Sequence, residues 1–153
     1  MIDEMAEAEQ PSVTRLRLEK PLSVPPERVF AAFVDAEQFR NWWGPAGFAV
    51  LDLQFDAVEA RDYRIVMKPP DGDVFHIRGT FLAVEAPRRL AYTFVYEEPH
   101  PDDQETLVTL TLVPTDPGTR LVLDHGPFKT DARLQLHRVG WTETLERLER
   151  SLL

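Results

Sequence analysis

"KTDARLQLHRVGWTETLERLERSLL", residues 129–153, keeps one helical period along its length. Leu134, Trp141, Leu145, Leu148 and Leu152 recur at helical spacings and form one apolar stripe, with His137 on the same side. Glu143–Arg147 and Glu146–Arg150 stand four apart in the favourable order and read as the wet face. A stripe this long needs an apolar surface to lie on. The fold therefore turns on what precedes it.

Upstream, the period changes to two. Residues 47–58, 61–69, 73–85, 89–98, 105–114 and 119–126 read as strands. Between them stand "PPDGD" (69–73), "EAPR" (85–88), "EEPHPDDQ" (97–104) and "TDPGT" (115–119). These are turn sequences, and their shortness favours antiparallel neighbours. The break near Glu59–Ala60 has no Gly, Pro or Asn and is the least marked turn. "SVTRLRLEK" (12–20) adds a first strand, with Leu16 and Leu18 facing inward. A single antiparallel sheet of about seven strands curls because strands twist, and one long helix can close its concave face. The expected fold is α+β, of the helix-grip kind.

Two short helices interrupt this pattern after the first strand. "SVPPERVFAAFVD" (23–35) starts a helix at Pro25 and Pro26, where a missing N–H costs nothing, and puts Val29, Phe30 and Phe33 on one face. "DAEQFRNWWG" (35–44) pairs Asp35 with Gln38 as a capping box, and Gly44–Pro45 end it. Trp42 and Trp43 are adjacent at that end. On a helix their side chains point about 100° apart, so one narrow stripe cannot hold both. Either both rings plug an end of the sheet, or one packs under the long helix while the other walls a cavity entrance.

The bulk composition narrows the function. The chain has 153 residues, 43% hydrophobic and 28% charged, which suits one ordinary core. Residues 1–11 read as an acidic, solvated tail and 12–153 as a single domain. There are no cysteines, so disulfides and thiolate metal sites are excluded; a reducing, cytoplasmic setting is expected. His76, His100, His125 and His137 show no tight ligand spacing, so no metal or cofactor is expected. A net charge of −9 opposes nucleic acid and anionic lipid as partners. No apolar run approaches the roughly 18 residues of a membrane span, and the N-terminus lacks the apolar core of a secretory signal.

Several motifs in this order carry a resemblance. "FRNWWGPAGF", "YRIVMKPPDGDVFHIRGTF", "PRRLAYTF", "TLVTLTLV", "TRLVLDHGPF" and the ending "HRVGWTETLERLERSLL" are similar to bacterial proteins of the SRPBCC (START-like, Bet v 1-like) superfamily. Within it the chain resembles the homologues of the activator of heat-shock-protein-90 ATPase, the AHSA1-like group, over about residues 12–153. The resemblance implies the helix-grip fold. One departure is local: members commonly carry a Pro-Gly-Gly turn where this chain has "VEARDYRIV" (58–66). The superfamily spans lipid carriers, hormone receptors, cyclases and oxygenase subunits, and the fold does not choose among them.

Strand alternation nominates the inward residues. They are Tyr63, Ile65 and Met67, then Phe75 and Ile77 with Gly79 and Phe81, then Leu90, Tyr92, Phe94 and Tyr96. Leu110 and Leu123 follow, with His125 closing its strand on the same parity, and the long helix adds His137 and Trp141. With Trp42 and Trp43, these supply the expected lining of a cavity between sheet and helix. The set is apolar and aromatic with a few polar tips, which suits a hydrophobic-ligand pocket and equally a plain core. Gly79 is expected to make a bulge or admit a bulky ring. No catalytic residue is assigned: no GxSxG or inward carboxylate pair occurs, and only a His–Tyr pair could move a proton.

The leading expectation is a non-enzymatic binding protein for a small hydrophobic or aromatic molecule. A chaperone-linked or self-associating interaction protein and a cyclase- or hydrolase-like enzyme are the alternatives.

Overall fold

The structure is a computed structural model that describes residues 14–153. The tail expected at residues 1–11 and the first two residues of the expected first strand lie outside the described residues. Strand β1 (Leu16–Leu22) is followed by helices α1 (Pro26–Val34) and α2 (Ala36–Trp42). Then come β2 (Ala49–Gln54), β3 (Asp62–Lys68), β4 (Phe75–Glu85), β5 (Arg89–Tyr96), β6 (Thr106–Pro114), β7 (Thr119–Gly126) and helix α3 (Asp131–Ser151). The strands form one curved antiparallel sheet in the order β1-β7-β6-β5-β4-β3-β2. The α+β helix-grip architecture follows directly from the hairpin turns and the terminal stripe.

Local chemistry sets the element ends. Pro26 opens α1, and Asp35 both ends α1 and caps α2, accepting from Glu37 N at 3.0 Å. Gln38 Nε2 donates to the Asp35 carboxylate at 3.2 Å, but the expected capping box does not form, because the Asp35 N–H is taken by Ala31 O at the end of α1. Thr130 caps α3, accepting from Arg133 N at 3.1 Å. Strand β2 is shorter than its sequence pattern: Gly47 turns the chain before it with φ of +85°, and pairing stops at Gln54.

The unmarked turn has a physical signature. Ala60 adopts φ of +74°, a conformation that disfavours a Cβ, and its N–H donates to Phe81 O at 2.8 Å. Arg61 also reaches the Asp56 carboxylate across this connection. The bulge in the β4–β5 ladder falls between Phe81 and Ala83, not at Gly79. Gly79 serves close approach instead: a Cβ there would lie 2.0 Å from Thr93 O and 2.7 Å from the Tyr63 ring.

The inward parity is matched by burial from Leu16 through Leu123, with Leu18, Phe75 and Tyr96 only half-buried, and the α3 stripe of Leu134, Trp141, Leu145, Leu148 and Leu152 is buried with it. Helix α3 lies against β1 and α2. Lys20 Nζ pairs with Glu149 at 3.0 Å and Arg28 reaches Leu152 O at 3.4 Å, pinning the end of the helix at that side. Toward β3–β5 the helix stands off the sheet, and a hollow remains.

Candidate functional site

The hollow has a volume of about 510 Å³, within the range of small-molecule sites. Met67, Phe75, Ile77 and Phe94 floor it from the sheet; Trp43, His137 and Trp141 wall it; Tyr96 stands at its polar end. The other expected lining residues lie elsewhere. Trp42 is buried between the short helices, edge-on to Phe33 and Phe39, and its indole donates to Ala32 O at 3.0 Å. Tyr63 and Tyr92 pack together with Phe81 deeper in the sheet, and Tyr63 donates its hydroxyl to Thr93 O at 2.6 Å. Ile65, Leu110 and Leu123 are plain core.

His125 belongs to that core too, in a chain of hydrogen bonds that fixes its tautomer. Trp141 Nε1–H donates to His125 Nδ1 at 2.9 Å, so the ring proton sits on Nε2 and is offered to Thr106 Oγ1 at 2.8 Å. Thr106 in turn reaches Phe94 O at 3.4 Å. Burial, with His137 nearby, holds the His125 pKa well below the ordinary histidine range. His125 ties β7 and β6 to α3 and faces no ligand space.

His137 and Tyr96 form the polar end. His137 Nδ1 lies 2.9 Å from Arg133 O, an acceptor only, so Nδ1 carries the proton. Its Nε2 then accepts from the Tyr96 hydroxyl at 2.9 Å. Burial lowers the His137 pKa, and burial raises that of Tyr96. The tyrosine proton is committed to the histidine, which leaves the hydroxyl oxygen with lone pairs only. Beside this pair, Arg133 Nη2 meets Asp103 at 2.7 Å and Arg133 Nε meets it at 2.9 Å.

Adjacent tryptophans therefore have separate tasks. Trp42 is a plug. Trp43 ends α2 in an extended conformation, stacks on Phe39 at 5.0 Å and meets Trp141 edge-on at 5.0 Å. One ring thus lies under α3 and also walls the hollow. Trp43 Nε1 is the one buried side-chain polar atom without a hydrogen-bond partner among the described residues.

The loop after Trp43 is held by a residue assigned above to the wet face. Arg147 Nη1 donates to the carbonyls of Trp43, Gly44, Pro45 and Phe48 at 3.3, 2.9, 3.0 and 3.2 Å. Glu143, its expected partner, accepts from Ala46 N at 3.1 Å instead. Gly44 is required there: it has φ of +103°, and a Cβ would sit 2.8 Å from Met67 Cε. At the mouth, Leu136 and Val139 on α3 are 53% and 59% exposed. A separate group, His76, Glu97 and Glu98, has metal-ligand geometry, but Arg64 holds Glu97 at 2.8 and 2.9 Å and His76 holds Glu98. It is a hydrogen-bonded network built on the Arg64–Glu97 ion pair.

The family described as activator of Hsp90 ATPase homolog 1-like protein (AHSA1) matches residues 23–152. The chain belongs to this family. Among solved structures, a protein of Chromobacterium violaceum is 26% identical, with a TM-score of 0.84, covering 91% of this chain and 96% of that one. The AHSA1 protein of Silicibacter pomeroyi is 30% identical, with a TM-score of 0.80 and coverages of 90% and 96%. A protein of Nitrosomonas europaea is 27% identical, with a TM-score of 0.76 and coverages of 92% and 95%. Among curated proteins, none matches. No helix among the described residues is long and apolar enough to cross a membrane.

Proposed function

We propose that this AHSA1-like chain is a cytoplasmic, non-catalytic binding protein that takes one small hydrophobic, ring-containing molecule into the hollow between α3 and strands β3–β5. The observation that carries this reading is the hollow itself: space is left where a core would be filled, and Leu136 and Val139 stay exposed at its mouth. Filling such a space with apolar surface is favourable by about 25 cal/mol per Å² before the costs of association. The polar end supports binding over catalysis. Tyr96 keeps its proton, His137 spends its basic nitrogen on that proton, and Asp103 is engaged by Arg133. A chaperone-linked role rests on the family description alone, and the net charge of −9 disfavours nucleic acid and anionic membranes.

Titration with N-phenyl-1-naphthylamine tests the reading. Trp43 and Trp141 wall the hollow, so tryptophan emission is expected to change saturably with one-site stoichiometry. A panel of aromatic and acyl probes that all fail to produce a saturable change would show the space to be inert packing.

A further inference from the structure

The charged groups around the hollow are matched to partners, with one exception. Arg133 is held by two contacts to Asp103. Both Glu98 oxygens are taken by His76, through its backbone N–H at 2.9 Å and its ring Nδ1 at 2.6 Å. His100 Nδ1 accepts from Asp102 N at 3.0 Å, so that ring is uncharged. The exception is Glu143. Its Oε1 accepts from Ala46 N at 3.1 Å, and no lysine, arginine or histidine pairs with it among the described residues. Arg147, four residues on, spends Nη1 on the loop carbonyls and is not part of the lining.

This carboxylate stands at the rim. Leu136, Val139, Gly140 and Glu143 follow at i, i+3, i+4 and i+7 and make one ridge of α3 along the mouth. Glu143 is half-buried and reaches across the mouth to Ala46, in the loop whose Pro45 and Phe48 line the facing wall. An apolar ridge that ends in an unpaired carboxylate fits a molecule apolar over most of its length and positive at one end. Aromatic rings line the hollow, Trp43, Phe48 and Phe75 among them, and ring faces attract positive charge. A carboxylate carried into the hollow would lose water and face Glu143 and Glu98, with Arg133 already engaged.

Resting on the binding reading above, we infer that the ligand is an organic cation: a ring-containing amine whose ring fills the hollow and whose ammonium group donates to the Glu143 carboxylate at the mouth. A charge-assisted bond of this kind is stronger than one between neutral groups. Carboxylic acids of the same shape are selected against.

Three naphthalenes of one shape separate the charge from the ring: 2-naphthylmethylamine (protonated at pH 7), 2-ethylnaphthalene and 2-naphthoate. Each is titrated into the ¹⁵N-labelled full chain while the backbone and indole N–H signals are followed by NMR. All that bind should move the Trp141 indole signal. The ammonium compound is expected to bind tightest, moving the Ala46 amide as well, and naphthoate at least about tenfold more weakly than it. Glu143→Gln keeps an acceptor for Ala46 N and removes the charge. It should weaken the ammonium compound at least about tenfold and spare the ethyl compound. Glu146→Gln makes the same change in net charge on the exposed side of α3 and should alter binding of the ammonium compound by less than about twofold. The spectra of both variants report whether the fold is intact. Naphthoate binding as tightly as the ammonium compound overturns the inference, as does equal weakening by Glu143→Gln and Glu146→Gln; in both cases the binding reading stands. If none of the three binds, the inference fails together with that reading.

Discussion

The two flanks of helix α3 are built from similar residues and behave differently. On one flank Leu145, Leu148 and Leu152 are buried against the region where β1, α1 and α2 meet, closed further by Lys20–Glu149 and Arg28. On the other, Leu136 and Val139 overhang Phe75 and Ile77 across open space. The first flank does the gripping. The second shows that a helix narrower than the sheet can cover only one side of it, and the uncovered side becomes the site.

The largest expected effect tests that division. Leu148→Ala should cost about 2–5 kcal/mol, as for other buried leucines, whereas Leu136→Ala should stay within about 0.5 kcal/mol. Denaturant melts measure both. Similar losses would mean that the flanks are packed alike.

The histidines give the next effect. His125 joins the packed flank to the sheet and His137 borders the hollow, and burial lowers both pKa values. The unfolded chain takes up protons near pH 6.5 that the folded chain refuses. Stability present above about pH 6.5 is therefore lost as pH falls below it, by up to about 1.4 kcal/mol per pH unit for each histidine. Glu97 and Glu98 are held low by their bonds to Arg64 and His76, so their contribution is lost at more acid pH. His125→Gln should flatten the dependence of the denaturation midpoint between pH 7 and pH 5. An unchanged slope would place the uptake elsewhere.

The tryptophans sharpen the contrast at smaller scale. Trp42→Phe opens a packed site and leaves Ala32 O without its donor, at about 1–3 kcal/mol. Trp43→Phe borders existing space and removes an unpaired N–H, so it should cost less than about 1 kcal/mol. Thermal melts of the two variants should rank accordingly. The smallest effect is a gain. Ala60→Gly relieves the positive φ in the connection between β2 and β3 and should stabilise by about 1 kcal/mol. A loss there would mean that the turn tolerates its Cβ without strain.

Much of this was legible in the residues. Period-two runs and short turns define the sheet, and the stripe from Leu134 to Leu152 predicts which helix face is buried. Parity also says that Tyr63 and Tyr96 face the same way. It does not say which of them borders empty space, because that depends on where α3 crosses the sheet. His125 and His137 were alike for the same reason; only the path of the helix puts one in the core and the other on the wall. Leu136 and Val139, apolar and off the stripe, were a readable sign of a second flank. Arg147 was read as half of a surface pair. The Gly44–Pro45 turn, whose carbonyls need donors, was the signal that it had another use.

The most direct test fills the hollow. Ile77 floors it, whereas Leu123 lies in the closed core. Ile77→Phe should fold with stability within about 1 kcal/mol of the parent, because its added volume enters open space, while Leu123→Phe should lose about 1–3 kcal/mol by overpacking. The deciding measurement is the affinity of Ile77→Phe for N-phenyl-1-naphthylamine. The account predicts at least about a tenfold loss in a protein that remains folded. Undiminished binding by folded Ile77→Phe would contradict it.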